Sequence, residues 1–145
     1  MTLVIVPCGA KKWLVPFCAA KDLYVGSYFR AAWKAARALA GEEGTIRILS
    51  AKYGLISPEK TISPYNLRMG DPGCVTSEWV RVQAMADGLL YTQQPGLAVI
   101  VLAGRAYSRV ALDVWPNALT PLADLHGMGY QLHRLRLIAE RKEIA

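Results

Sequence analysis

Thr45-Ile46-Arg47-Ile48-Leu49-Ser50-Ala51-Lys52-Tyr53-Gly54-Leu55-Ile56 reads as a buried strand that runs into a polar turn. Ile46, Ile48 and Leu49 provide the apolar run of a strand inside a sheet, and the Tyr53-Gly54 pair permits a sharp turn that a β-branched residue would resist. Ser50, Lys52 and Tyr53 therefore emerge at the carboxyl end of a strand, where open α/β sheets bind ligands. The following segment, Ser63-Pro64-Tyr65-Asn66-Leu67-Arg68-Met69-Gly70, adds more polar and aromatic groups.

The rest of the chain alternates between strand and helix patterns. Leu3 to Val6 is a short apolar run ended by Pro7, as in a buried parallel strand. Ser27 to Ala40 carries Phe29, Trp33, Ala36 and Leu39 or Ala40 at helical spacing, with Gly41 as a stop. Thr76 or Ser77 caps a helix expected to reach about Tyr91, with Trp79, Val82, Met85 or Ala86 and Leu89 on its apolar face. Leu97 to Ala103 is a third strand, Ala106 to Val114 a helix, Leu119 to Leu122 a short fourth strand and Gly129 to Lys142 a last helix. Strands alternating with helices imply right-handed crossovers. The expectation is a single three-layer α/β domain over residues 1–145, with a mostly parallel central sheet of about four strands covered by helices.

A chain of 145 residues with 53% apolar content can bury a sizeable core. No apolar run approaches the roughly 20 residues that span a bilayer, and the amino terminus lacks the pattern of a signal peptide, so a cytoplasmic location and no membrane partner are expected. Cys8, Cys18 and Cys74 include no C-x-x-C pair and suit a reducing compartment, and neither a metal nor a cofactor is expected. The charge is lopsided. Residues 1–70 hold ten Lys and Arg against four Asp and Glu, whereas residues 71–145 hold seven of each. A basic surface beside a candidate site attracts polyanions, of which nucleic acid is the commonest. Tyr24, Tyr28, Trp33, Tyr53 and Tyr65 lie in the same half, where aromatic rings among cations can stack on bases, although Trp33 sits on a helical pattern and reads as core.

The predicted topology gathers three strand ends at one rim: Pro7-Cys8-Gly9-Ala10-Lys11-Lys12, Ser50-Ala51-Lys52-Tyr53-Gly54 and Ala103-Gly104-Arg105-Ala106-Tyr107. Gly9, Gly54 and Gly104 admit close backbone approach, and Lys11, Lys52 and Arg105 offer donors to an anion. Neither a phosphate loop nor a dinucleotide fingerprint is present. Cys8 near two lysines invites thiol chemistry, with His126 or His133 as partner, against the ordinary reading of a buried small hydrophobe.

Ile5 to Lys11, Leu49 to Leu55, Ser63 to Gly70 and Val101 to Tyr107 resemble, in order, the signature segments of the peroxide-stress protein YaaA family, and more closely a short relative found in bacteria and phages. Pro121-Leu122 and Gly127-Met128-Gly129-Tyr130-Gln131-Leu132 extend the resemblance over nearly the whole chain. It implies DNA binding and an architecture similar to uracil-DNA-glycosylase-like α/β domains. The chain is shorter than YaaA proper, and Asn66 stands where an Asp commonly follows the Pro-Tyr pair.

Cleaving a base from deoxyribose passes through an oxocarbenium-like state, so the site must accept charge on the leaving base and orient a water. Asn66, Lys52 and Ser50 are the candidate catalytic residues: Asn66 to hold water or read a base edge, Lys52 to donate or attack as an amine, Ser50 to donate a hydrogen bond. Cys8, Gly9, Lys11, Tyr53, Tyr65, Arg68, Gly104, Arg105 and Tyr107 are the candidate substrate-binding residues, with Tyr53 or Tyr65 stacking on a flipped base. Lys12 and Lys60 read as solvated. The expected function is a monofunctional DNA glycosylase that removes a damaged or modified base in repair or anti-phage defence, acting as a monomer on DNA, including modified phage DNA. A DNA-binding stress protein without turnover and a nucleotide or nucleoside hydrolase are the alternatives.

Overall fold

Leu3, Val4, Ile5 and Val6 are fully buried, and the domain is assembled around them. The computed structural model describes residues 1–144. In chain order the strands are β1 (Thr2–Pro7), β2 (Cys18–Ala19), β3 (Thr45–Ser50), β4 (Gly54–Ile56), β5 (Thr61–Ile62) and β6 (Ala98–Val101). The helices are α1 (Ala20–Leu23), α2 (Ser27–Ala40), α3 (Ser77–Ala86), α4 (Arg105–Val114) and α5 (Met128–Arg141). The main sheet has the order β4-β3-β1-β6, with β1 parallel to both β3 and β6 and β4 antiparallel to β3. A strand paired on both edges and covered on both faces meets no water, hence its unbroken apolar sequence.

Strand alternation sends Val4 and Val6 to one side and Leu3 and Ile5 to the other. The first side packs on α2 and α5 through Phe29, Ala32, Ala36, Leu135 and Ile138. The second packs on α3 and α4 through Val80, Ala84, Ala111 and Val114, closed by Trp115, whose indole N–H donates to the Leu89 carbonyl at 2.8 Å. This is the three-layer α/β arrangement. Among the described residues, no helix is long and apolar enough to cross a membrane.

Two of the expected elements differ in the structure, and β2, α1 and β5 are additional. The fourth strand is Gly54–Ile56, reached by a tight reversal after Ser50, and not Leu119–Leu122. Only Leu119 of that segment pairs: its carbonyl accepts from Val101 N–H at 2.8 Å and its N–H donates to the Val99 carbonyl at 2.9 Å. Pro121 then removes the next but one donor, and the ladder stops.

Helix α3 ends at Ala86, well short of Tyr91, because Gly88 takes a positive φ of 71°. Its buried residues are Val80 and Ala84, while Trp79, Val82 and Met85 are about half exposed. Gln83 sets this rotation. Its Oε1 accepts from Leu55 N–H at 2.8 Å and its Nε2 donates to the Tyr53 carbonyl at 2.9 Å, which clamps α3 to the turn into β4. A second, two-stranded sheet of β2 and β5 fastens the start of the segment that carries Tyr65.

Gly54 adopts φ +78°, and a Cβ there would fall on the Gln83 carboxamide. Gly54→Ala is expected to lose about 1–2 kcal/mol from the left-handed backbone alone, and more as Gln83 is displaced. Urea unfolding followed by circular dichroism measures this, and an unchanged midpoint would contradict it.

Candidate functional site

From β1 the chain crosses through α2 to β3 on one side, and later enters β6 on the other side of β1. The connection after β1 leads to α2 on one face of the sheet, and that after β6 leads to α4 on the opposite face. Diverging connections leave a crevice at the carboxyl ends of β1 and β6, the topological switch point at which such sheets bind ligands. A cavity of about 300 Å³ occupies that crevice, with walls from Cys8, Gly9, Tyr28, Gly104, Tyr107 and Gln131. A larger groove of about 380 Å³ between α2 and α5 lies away from the strand ends.

Beside the cavity runs a network of buried hydroxyls. The Ser50 Oγ, fully buried, accepts from Lys52 N–H at 3.2 Å and Tyr53 N–H at 3.0 Å. With both lone pairs engaged, its own proton goes to the Tyr65 phenol oxygen 2.7 Å away, and the Tyr65 proton is then free for the Tyr24 oxygen, also at 2.7 Å. Ser50 thus terminates β3 and aims Tyr65, and its hydroxyl has no lone pair left for attack. The Cys8 thiol shares a 3.0 Å hydrogen bond with the Tyr107 phenol. The Tyr53 and Tyr65 rings meet edge to face with centroids 5.5 Å apart, and the Lys12 ammonium lies 4.4 Å from the Tyr65 ring centroid.

Burial dominates the electrostatics. It raises the phenols of Tyr24, Tyr65 and Tyr107 well above the usual tyrosine range, with the Cys8 thiol adding to the effect at each. Tyr28 is pushed up to about 12 by burial. The Lys12 amine is lowered from its ordinary value, first by burial and also by the Arg68 guanidinium, while Cys8 works the other way.

The residues expected from sequence divide accordingly. Cys8, Ser50, Tyr65 and Tyr107 join the buried network, and Gly9 and Gly104 form cavity wall. Tyr53 packs on Tyr65 and exchanges hydrogen bonds with the Ser63 backbone. Lys11, Lys52, Arg68, Arg105 and Asn66 are exposed at or near the rim, with the Lys52 ammonium 5.2 Å from the Tyr53 ring centroid. Asn66 makes no side-chain hydrogen bond among the described residues. The partner of Cys8 is Tyr107 and not a histidine, since His126 and His133 are both exposed. Lys12, expected to be solvated, is half-buried over Tyr65.

Sequence reasoning placed Tyr24 and Tyr28 only among basic residues, and it missed Gln131 as a cavity residue. The sole signal for Gln131 was its place in the Gly127 to Leu132 segment. Among the described residues, no cluster of three or more His, Cys, Asp or Glu side chains is arranged to hold a metal.

The model of DUF6884, a family of unknown function, matches residues 3–137, a span that includes every residue of the crevice and the network. No curated protein and no solved structure matches the chain.

The phenols make stability fall in alkali. Each phenol with a native pKa above the ordinary 10 keeps a proton that the unfolded chain releases, so its contribution is intact below about pH 10 and declines as pH rises toward the 12 of Tyr28 and beyond. Lys12 acts in the opposite sense, adding stability as pH approaches its ordinary 10.5, and offsets only part of this decline. Urea midpoints are expected to drop above about pH 10. Tyr65→Phe is expected to cost about 1–3 kcal/mol at neutral pH by leaving Ser50 and Tyr24 without their partner, and to weaken the alkaline dependence.

Proposed function

The chain belongs to DUF6884, a family of unknown function, and for this member we propose a DNA N-glycosylase that excises a damaged or modified base and leaves an abasic site. The observation that carries the reading is a mainly apolar, aromatic-walled cavity at the switch point, set among cations that lack carboxylate partners. Lys11, Lys12, Lys52, Arg68 and Arg105 form no ion pair among the described residues, where the one salt bridge joins Arg47 to Asp87 at 3.4 Å. Unpaired cations around a cavity favour a polyanion, and a polymer gains from several of them at once.

The loop that follows supports a duplex substrate. Lys11-Lys12 leads into Trp13, Leu14 and Phe17, which are 52%, 91% and 66% exposed. Apolar side chains next to phosphate-binding lysines have the composition that inserts into a base stack and unstacks it. A base moved out of the helix then reaches the crevice, the general route by which enzymes attack bases within DNA.

In this reading the exposed lysines and arginines hold phosphates. Lys12, held over Tyr65 and near Cys8, offers a proton to the departing base. Asn66, exposed next to Tyr65 in the chain, orients water. The hydroxyl network fixes Tyr65 and, through it, the position of Lys12. The resemblance to YaaA proteins points the same way. A second reading, DNA binding without turnover, is favoured by one observation: the network holds no carboxylate to activate water.

Incubation with DNAs bearing different modified bases, followed by alkali, is expected to reveal abasic sites for at least one of them; full-length DNA throughout a broad panel would leave the binding reading. Asn66→Ala is expected to abolish base release with DNA affinity held within a few-fold. Affinity is expected to fall steeply with salt, and joint replacement of Lys11 and Lys52 by Ala to flatten that dependence. Borohydride is expected to trap no adduct. One that disappears in Lys12→Ala would replace water attack by amine attack.

A further inference from the structure

We infer that the switch-point cavity is a pocket for a single nucleobase in which Gln131 reads the hydrogen-bonding edge of the base. The inference takes its ligand class from the glycosylase reading, and its argument is the way the cavity is built. At about 300 Å³ it lies at the small end of ligand sites, which run from about 300 to 1,000 Å³. Tyr28 and Tyr107 supply aromatic walls, and base stacking on such rings tolerates any base. Discrimination must then come from polar groups on the wall, and the Gln131 amide is held for that role.

Its orientation is determined by two bonds. The Tyr28 phenol donates to Gln131 Oε1 at 2.6 Å, and Gln131 Nε2 donates to the Leu125 carbonyl at 3.0 Å. The Leu125 carbonyl can only accept, so Nε2 must face it and Oε1 the phenol, and the amide does not flip. Each of these bonds uses half the capacity of its atom. One N–H of Nε2 and one lone pair of Oε1 remain, in fixed order. Adjacent donor and acceptor groups are what the base edges of nucleic acids present, and a planar amide meets such an edge with two parallel hydrogen bonds.

Gly104 completes the pocket. It is the residue before α4, in extended backbone open to any residue, and a Cβ there would stand 3.6 Å from Gln131 Oε1 and 3.7 Å from Nε2. Alanine is thus accommodated by the fold, but its methyl would cover the face of the amide that a base must approach. The absence of a side chain here leaves the reader accessible.

The test uses free adenine, guanine, cytosine and uracil as probes of the intact protein, titrated while the Gln131 side-chain amide and the Tyr28 and Tyr107 ring resonances are followed by NMR. At least one base is expected to shift all three sets together. Gln131→Glu replaces the remaining donor by an acceptor and keeps a partner for Tyr28, at the cost of the bond to the Leu125 carbonyl, and Gly104→Ala narrows the approach. Each is expected to weaken binding by about tenfold or more, the loss when one polar group of a pair is left unmatched. If no base moves these resonances, or if both variants bind as the parent does, the pocket assignment falls even where base release from DNA is observed. Base binding at Gln131 without release from any DNA would instead uphold the pocket and remove the glycosylase reading. Should Gln131→Glu fail to fold, Gly104→Ala alone decides.

Discussion

The pairing of β1 between two parallel neighbours is the constraint on which the crevice depends. Val6 lies opposite Ile48 and Pro7 opposite Leu49, while Ile5 lies opposite Val101. The ladders continue one step past the strands: Cys8 N–H donates to the Leu49 carbonyl at 3.0 Å, and Leu102 N–H to the Ile5 carbonyl at 2.8 Å. Parallel strands in this register must end together, so Cys8, Ser50 and Gly104 arrive at one rim without any contact having to bring them there. A slip of one residue would turn Cys8 and Ser50 to opposite faces of the sheet.

Burial then sorts the rim into two kinds of polar group. Ser50, Tyr24 and Tyr65, buried or half-buried, satisfy one another, and Tyr107 pairs with the Cys8 thiol. Each is neutral over the physiological range, so the network costs little to bury and holds the rim rigid. Lys11, Lys52, Arg68 and Arg105 keep their solvent and form no ion pair among the described residues. Lys12 alone stands between the two groups, with its ammonium against an aromatic face and its stem drawn inward.

Layers, core strands and the main helices were legible because their patterns are long. Leu3 to Val6 is apolar without interruption, and Ser27 to Ala40 repeats its apolar residues over almost four turns. The terminal helices came within a residue or two of their observed bounds. Gly54–Ile56 was not legible as a strand, since three residues carry no periodicity and Gly54 signals only the reversal. Nor was the rotation of α3: Trp79, Val82 and Met85 make as regular a stripe as the true face, and it is Gln83, bonded to a backbone more than twenty residues away, that decides between them. The candidate site divided in the same way. Strand ends could be read from residue order, but that Lys12 lies over Tyr65 while Lys52 lies over Tyr53, and that Tyr107 and not a histidine pairs with Cys8, depends on tertiary distances that spacing does not encode.

The single bridge at Leu119 bears on how the molecule behaves in a crowded solution. An open sheet offers two unsatisfied edges, each a template on which another chain can add a strand and begin an aggregate. Here the outer edge of β6 has the Val101 N–H and the Val99 carbonyl taken by Leu119. At the opposite margin β4 is only three residues long, too brief to register a foreign strand. With one margin partly occupied and the other cut short, the sheet is a poor template for a further strand, although the same fold carries an exposed Trp13, Leu14 and Phe17.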